Sequence, residues 1–346
     1  MSELRINNIT DRAGSSGPII AGVSTVSSTS HMVMPSGPTE MRGGRGRAVI
    51  GGGNTPSDVN TLDRIEIATE GNAVDFGDLS AVREQPYGAS SATRGLFAGG
   101  KTDSNIDYVT ISSGGGGNDF GSLSASAHSG KGVSDGITAV YLGGKWGGAY
   151  TGLIQIEFNT IATLGDASDF GDIASGRVYS QTGGFASHTR GVIGAGAGRN
   201  SPYYQKSIEF ITIATKGDTK DFGEISFERS AAGGCASATR GIFVGGQVPS
   251  PTNGVNVIDF VTIATTGNAT DFGDLTTARR QMDAGSSSTR GVCIAGYQDT
   301  SPAAIVNTMD FVIIASAGTN ASDFGDLTTV RRFTGTCSDS HGGIGD

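Results

Sequence analysis

Short apolar runs alternate with polar, glycine-rich segments along most of the chain, and one unit returns about every 50 residues. The copy between Arg240 and Arg290 shows the pattern most clearly. It begins with an apolar run before Gly245-Gly246, which is typical of a buried strand that ends in a tight turn. Residues 257–264 alternate with a period of two, and residues 271–279 and 282–288 also have the composition of strands. The sequence therefore predicts four short strands in each unit.

An Asp-Phe-Gly tripeptide marks the same point of every unit, and we interpret it as a turn motif. Its aspartates are Asp75, Asp119, Asp169, Asp221, Asp271 and Asp323. Each second strand contains an acidic residue, namely Asp63, Asp107, Glu157, Glu209, Asp259 or Asp310. An arginine ends five of the third strands, at Arg83, Arg177, Arg229, Arg279 and Arg331, and Ala127 stands at the sixth position. These charges could line an axial channel, but bidentate pairs that hold neighbouring strands or blades satisfy both groups more simply.

The order of these features resembles the kelch motif, in which a hydrophobic strand ending in Gly-Gly precedes an aromatic strand, a bulky anchor and an arginine. Phe stands here where kelch repeats usually have Trp, and the resemblance covers residues 47–341. It implies an all-β fold. With six units, we expect a six-bladed kelch-type β-propeller of four-stranded antiparallel blades.

A propeller must close its ring, because an open edge strand invites aggregation. Residues 32–46 contain Pro35 and Pro38, which cannot donate to a strand ladder. The tail, residues 333–338, resembles residues 231–236 and places Cys337 where that segment has Cys235. We therefore predict that the C-terminal strand closes the first blade.

The first 46 residues do not follow the repeat, and we assign them to an extended N-terminal arm that precedes a propeller of residues 47–346. They contain too few large apolar side chains to build a core, and a disordered linker is the alternative interpretation. Residues 9–14 and 17–24, together with the Thr-Arg-Gly and Asp-Phe-Gly repeats, resemble kelch-like virion proteins of tailed phages of marine cyanobacteria. The resemblance implies a location in the virion as a tail fibre, capsid fibre or decoration protein. It also implies an arm that binds other virion proteins and a chain that is oligomeric in the particle.

Composition and charge narrow the function classes. The 57 glycines fall at fixed positions of the repeat and so indicate turns rather than disorder. A net charge of −9 and a pI near 4.9 disfavour a nucleic-acid partner. The chain has no signal-peptide pattern and no run of ~18 apolar residues, so we expect a soluble protein without membrane insertion. Cys235, Cys293 and Cys337 are expected to be buried thiols.

No residue pattern indicates an enzyme, a metal site or a cofactor, and we expect none of the three. Asp-Phe-Gly also occurs in protein kinases, but six copies without the other kinase signatures exclude that class. A copper enzyme similar to galactose oxidase, which shares the kelch propeller, needs histidines and tyrosines that converge near the axis. His31, His128, His188 and His341 occupy unrelated positions, and His341 takes the place of the arginine in Thr-Arg-Gly.

The copies differ most in the loop after the double glycine. In antiparallel blades this loop and the link after the arginine lie on one face, which we call the variable-loop face, and the opposite, invariant face carries nearly identical turns. Loops on a rigid scaffold are where binding specificity usually lies. The candidate ligand-binding residues are Trp146, Tyr150, Tyr203, Tyr204 and Tyr297, whose rings suit a sugar or a protein groove.

We therefore predict that the variable-loop face binds a glycan or protein of a host surface. Two alternatives remain open at this point. The rings could cover a blade edge or pack on another virion subunit, or the chain could be an intracellular kelch scaffold that docks a peptide.

Overall fold

The computed structural model describes residues 46–146, 154–173, 182–198, 203–249 and 254–344, and their regular structure is almost entirely β-strand. Six four-stranded antiparallel sheets form the blades of a β-propeller, which confirms the predicted fold and blade number. One 3₁₀ turn, Ile213–Thr215, lies between two strands of the fourth blade. The predicted N-terminal arm, apart from Gly46, lies outside the described residues.

The blades are numbered along the chain. Blade 1 contains β1 (Arg47–Gly51), β2 (Thr61–Glu66) and β3 (Val74–Asp78). Blade 2 contains β4 (Tyr87–Ser90), β5 (Arg94–Gly100), β6 (Asp103–Thr110) and β7 (Asn118–Ser122). Blade 3 contains β9 (Lys131–Ser134), β10 (Thr138–Leu142), β12 (Gln155–Thr160) and β13 (Ser168–Asp172). Two short strands beside it, β8 (Ala127–His128) and β11 (Lys145–Trp146), pair with each other.

The second half of the chain continues in the same way. Blade 4 contains β14 (Gly183–Ala186), β15 (Arg190–Ala197), β16 (Tyr204–Thr212) and β17 (Lys220–Arg229). Blade 5 contains β18 (Gly233–Ala236), β19 (Arg240–Val244), β20 (Val255–Thr262) and β21 (Thr270–Arg279). Blade 6 contains β22 (Asp283–Ser286), β23 (Arg290–Gln298), β24 (Ala304–Ile313) and β25 (Ser322–Asp326), and β26 (Gly335–Ser338) belongs to blade 1.

The strand nearest the axis in each blade comes from the end of the preceding repeat unit. In blade 6 the order from the axis outwards is β22, β23, β24 and β25. Strand β22 is the fourth predicted strand of the unit that starts at Arg240, so blade and unit are offset by one strand. The six inner strands, β4, β9, β14, β18, β22 and β26, contact one another in a ring around the axis.

The C-terminal strand closes the propeller, as predicted. Strand β26 pairs antiparallel with β1, and Cys337 lies opposite Val49. Cys337 and Cys235 occupy the same position of their inner strands, and both are buried free thiols, as is Cys293. Blade 1 therefore joins the two ends of the repeat in one sheet.

The hydrophobic core lies between neighbouring blades rather than at the centre of the ring. Val49, Leu62 and Phe76 of blade 1 pack in one cluster with Phe97 and Val109 of blade 2. Because each blade buries apolar side chains against its neighbours, the stability of one blade depends on the presence of the next.

The Asp-Phe-Gly tripeptide is a strand bulge and not a turn, which corrects the sequence interpretation. In blade 1 the register of β2 and β3 shifts so that Phe76 is the extra residue of a β-bulge. The Phe76 ring is buried, and its carbonyl accepts the N–H of Gly115 in blade 2 at 3.0 Å. The equivalent bond joins all six neighbouring pairs, including blade 6 and blade 1, where Gly71 donates to Phe324 at 2.8 Å. The motif therefore connects blades around the outer part of the ring.

Candidate functional site

Buried arginine–carboxylate pairs connect neighbouring blades. The described contacts join Arg83 and Asp107 at 3.3 Å, Arg229 and Asp259 at 2.8 Å, Arg279 and Asp310 at 2.5 Å, and Arg331 and Asp63. In each pair the arginine ends or follows the outermost strand of one blade. The acidic residue lies in the third strand from the axis of the next blade. All four arginine side chains are 0% exposed.

These ion pairs are single contacts rather than the bidentate pairs expected from the sequence. Nη2 of Arg331 contacts one Asp63 oxygen, while its Nη1 donates to the carbonyls of Gly52 and Thr61. The hydroxyl of Thr328 donates to Oδ1 of Asp63 at 2.7 Å. The aspartates of the Asp-Phe-Gly motifs take no part and lie exposed at the outer edge of the blades, and Arg177 lies outside the described residues.

The arginines of the invariant face also bind the next blade. Arg47, Arg94, Arg190, Arg240 and Arg290 donate to the carbonyls of Ile111, Ile161, Ile263, Ile314 and Ile67 at 2.7 to 3.2 Å. Blade 3 has Thr138 at this position. The described arginines of the repeat and their carboxylate partners are therefore used by the scaffold rather than held open for a ligand.

Backbone hydrogen bonds link neighbouring blades next to the axis on the variable-loop face, and we call this set the collar. Its described members lie two positions before five of the six inner strands: Gln85, Ser129, Ala231, Gln281 and Phe333, with φ between 55° and 67°. The N–H of Phe333 donates to the carbonyl of Gln281, and that of Gln281 to Ala231, both at 2.9 Å. Since a left-handed backbone costs about 1–3 kcal/mol at a non-glycine residue, these bonds must compensate for that strain.

A charged pair crosses the axis next to this collar. Nζ of Lys131, the first residue of β9, contacts Oδ1 of Asp283, the first residue of β22. The two residues come from blades 3 and 6, which lie opposite each other in a ring of six, and both are less than a tenth exposed. The other inner strands begin with Tyr87, Gly183, Gly233 and Gly335. The pair is therefore specific to two blades and is not part of the repeat.

Two small cavities lie along the axis, and Lys131 lines both. The first, which we call the axial mouth, has a volume of about 50 Å³. Its polar lining includes Gln85, Ser129, Lys131, Thr182, Asp283 and Thr334. The second, the inner cavity, also measures about 50 Å³ and is lined by Thr336, His341 and the serines that end several inner strands.

Three threonine hydroxyls at these cavities are buried and have no hydrogen-bond partner in the described ranges. They are Thr182 and Thr334 of the axial mouth and Thr336 of the inner cavity, and all three residues are at most 7% exposed. A buried hydroxyl without a partner costs about 1–3 kcal/mol. Such groups are therefore candidates for contact with a ligand.

His341 and Gly342, which follow the last strand, line the inner cavity at the invariant face. Nε2 of His341 lies 3.0 Å from Oγ of Ser134 and 3.2 Å from the carbonyl of Ser90, and the N–H of Gly342 donates to Ala236 at 3.0 Å. His341 therefore does not start a strand as the arginine of Thr-Arg-Gly does. After β26 the chain turns into the axis instead.

Acid is expected to weaken this contact. Burial lowers the pKa of His341 to about 4, below its ordinary value of 6.5, so the folded state binds fewer protons than the unfolded chain between these values. The contribution of neutral His341 to the stability is therefore fully present above pH 6.5 and is lost as the pH falls towards 4. Because His341 keeps partial exposure, we expect a loss of about 1 kcal/mol between neutral pH and about pH 5. Urea unfolding at both pH values measures it, and an equal loss in His341→Gln would contradict this origin.

Comparison with known proteins adds no assignment to this geometry. No protein-family model matches the chain, and no curated protein matches it significantly. Among the described residues, no three His, Cys, Asp or Glu side chains lie close enough together to hold a metal ion. The part of the chain that the structure describes contains no helix long and apolar enough to span a bilayer. Burial raises the pKa of Cys235 to about 12, so this thiol stays protonated at neutral pH.

The predicted aromatic residues that the structure describes do not converge: Tyr203 and Tyr204 belong to blade 4, Tyr297 to blade 6, and Trp146 to the short strand β11. Tyr203 is 64% exposed, and Tyr204 begins β16 opposite Ala197 of β15. Trp146 ends β11, which pairs with β8, and Tyr150 lies outside the described residues. Of the three rings whose exposure the structure describes, Tyr203 is the exposed one, while Tyr204 and Tyr297 are partly buried.

Tyr297 has a different environment, near two guanidinium groups. Cζ of Arg280 lies 4.7 Å and Cζ of Arg332 5.7 Å from the centre of its ring. Arg280 in turn donates to both oxygens of Asp299 at 2.9 and 3.0 Å. Tyr297 lies in blade 6, two blades away from Tyr203 and Tyr204.

The sequence analysis missed the polar residues of the axial mouth, namely Lys131, Asp283, Thr182 and Thr334. A usable signal was present in the repeats. When the first residues of the inner strands are compared, Lys131 and Asp283 are the charged ones, whereas the repeat motif itself draws attention to positions that the scaffold uses.

Proposed function

We propose that the chain is a non-catalytic component of a tailed-phage particle and that its propeller presents the variable-loop face for binding. One observation carries the binding part of this proposal: the described third-strand arginines and their second-strand carboxylate partners are occupied by inter-blade contacts, whereas the axial mouth and the exposed Tyr203 lie on the variable-loop face. The proposed ligand is a glycan or a protein on the surface of a host cell. The arm is the proposed contact with other virion proteins.

The virion role rests on the resemblance of the first 46 residues and the repeats to phage proteins. It is tested by comparing the full chain with a variant that starts at Gly43, using light scattering and co-sedimentation with cyanobacterial phage particles. We expect only the full chain to oligomerise or sediment with particles. If neither does, the particle role is wrong, and the intracellular scaffold that docks a peptide becomes the better hypothesis.

Binding by the variable-loop face predicts an effect of Tyr203→Ala. Loss of one aromatic contact, worth about 1 kcal/mol, should weaken binding of the full chain to marine cyanobacterial cells about fivefold. Cell binding of the fluorescently labelled protein measures this. Ile137→Ala is the matched control, because Ile137 is similarly exposed, at 68%, but lies in a turn of the invariant face. Equal binding by the Tyr203→Ala variant and the unchanged protein would show that this ring is not part of the site.

A further inference from the structure

We propose that the axial mouth binds the hydroxyl-bearing edge of a terminal sugar, with Lys131, Asp283, Thr182 and Thr334 as its hydrogen-bonding groups. This inference rests on the proposed binding function and names the ligand class and the site. It adds a contact at the axis to the one proposed for Tyr203 on the same face.

The Lys131–Asp283 pair is the first support. The fold does not require charges at these positions, because the inner strands of blades 4 and 5 begin with Gly183 and Gly233 instead. A buried ion pair is often no more stabilising than apolar residues of similar size, so stability alone does not account for it. Its position at the mouth gives one place on the axis where a ligand can find both a strong donor and a strong acceptor.

The threonine hydroxyls are the second, independent support. Thr182 comes from blade 4 and Thr334 from blade 1, and these blades also lie opposite each other in the ring. The two hydroxyls and the two charged groups thus approach the same cavity from four of the six blades. Neither hydroxyl has a partner among the described residues, although both are buried.

The charge balance favours a neutral ligand with hydroxyl groups. Lys131 and Asp283 neutralise each other, so a charged ligand would have to compete with a contact that already exists. A sugar hydroxyl both donates and accepts, so it can bond to the ammonium, the carboxylate and a threonine without displacing either charge. Apolar groups of Pro86, Met282 and Phe333 also line the mouth and suit the C–H surface of a sugar ring.

The size of the mouth sets what enters it. A volume of about 50 Å³ corresponds to about four water molecules at 10–15 Å³ each. This space accommodates a hydroxymethyl group or a pair of neighbouring hydroxyls, while the rest of the ring remains in the opening. We therefore expect recognition of a chain end rather than of an internal residue.

The test is saturation-transfer NMR with the full chain and three probes: the methyl α-glycosides of glucose, galactose and mannose. We expect at least one probe to bind, with transfer concentrated on the protons of one edge. Thr334→Val and Thr182→Val keep the side-chain shape and remove an unpartnered hydroxyl, so folding should be unaffected or improved. Each is expected to weaken binding of that probe about fivefold.

Thr336→Val is the matched control. Thr336 has an unpartnered hydroxyl too, but it lines the inner cavity and not the mouth, so probe binding should not change. The double variant Lys131→Met with Asp283→Leu removes both charges together and should abolish binding while the chain remains folded. Sodium acetate should not bind.

The outcomes separate this inference from the proposed function. If none of the glycosides binds, or if Thr334→Val and Thr336→Val weaken binding equally, the sugar site is wrong. If the sugar site is wrong in this way but the full chain still binds cells, the proposed host-binding function is retained. Glycoside binding without cell binding would support the site and contradict the host-surface role. Binding of acetate, or of a short peptide in place of the glycosides, would overturn the ligand class.

Discussion

Replacement of Arg331 by Met is expected to destabilise the propeller by about 3–5 kcal/mol, because it leaves a buried carboxylate without its partner. Arg331 and Asp63 are both 0% exposed, and their contact joins blade 6 to blade 1. Burial lowers the pKa of Arg331, and the attraction of Asp63 opposes this shift, so the folded state relies on the pair. The shift of the urea unfolding midpoint measures the effect.

Two further variants separate the ion pair from other causes. Arg331→Met combined with Asp63→Leu removes both charges and should recover much of the lost stability, since no isolated charge remains. Arg64→Ala breaks a surface pair with Glu66 at 3.2 Å, whose side chains are 33% and 38% exposed, and should cost less than about 1 kcal/mol. If Arg331→Met costs no more than Arg64→Ala, the buried pair does not hold the two blades together.

The sequence predicts those parts of the fold that depend on features repeated at a fixed spacing. The double glycine, the strand alternation and the third-strand arginine recur in register, so strand number and blade number follow from the pattern. The closing strand could also be predicted, because Cys337 and its neighbours match an inner strand of the repeat, whereas prolines make the other candidate a poor strand.

The parts that could not be predicted depend on contacts between distant residues that occur once. Lys131 and Asp283 are 152 residues apart and meet only because blades 3 and 6 are opposite. The Asp-Phe-Gly motif is a different case: it recurs, but it has the composition of a turn, and its role as a bulge depends on its pairing with another strand of its own blade. The course of residues 339–344 into the axis likewise depends on long-range contacts, such as the hydrogen bond from the N–H of Gly342 to the carbonyl of Ala236 in another blade.

Replacement of Gly325 by Ala is expected to open the contact between blades 6 and 1. The backbone of Gly325 has φ of 140°, and a Cβ there would lie 2.5 Å from the carbonyl oxygen of Gly71. Backbone strain and overpacking together predict a loss of about 4 kcal/mol. Thermal unfolding measures the loss, and hydrogen exchange at Gly71 and Ala73, whose N–H groups donate to Phe324 and Asp326, shows where it acts.

Gly165→Ala is the control that separates backbone strain from the inter-blade contact. Gly165 has φ of 150°, but a Cβ there would meet no atom within 4 Å. It should therefore cost only the strain, about 1–3 kcal/mol, and leave exchange at Gly71 and Ala73 unchanged. Equal losses in the two variants would mean that glycine is needed at Gly325 for its backbone conformation alone. A larger loss for Gly325→Ala, with faster exchange at the two amides, would identify the close approach of the next blade as the reason why the motif ends in glycine.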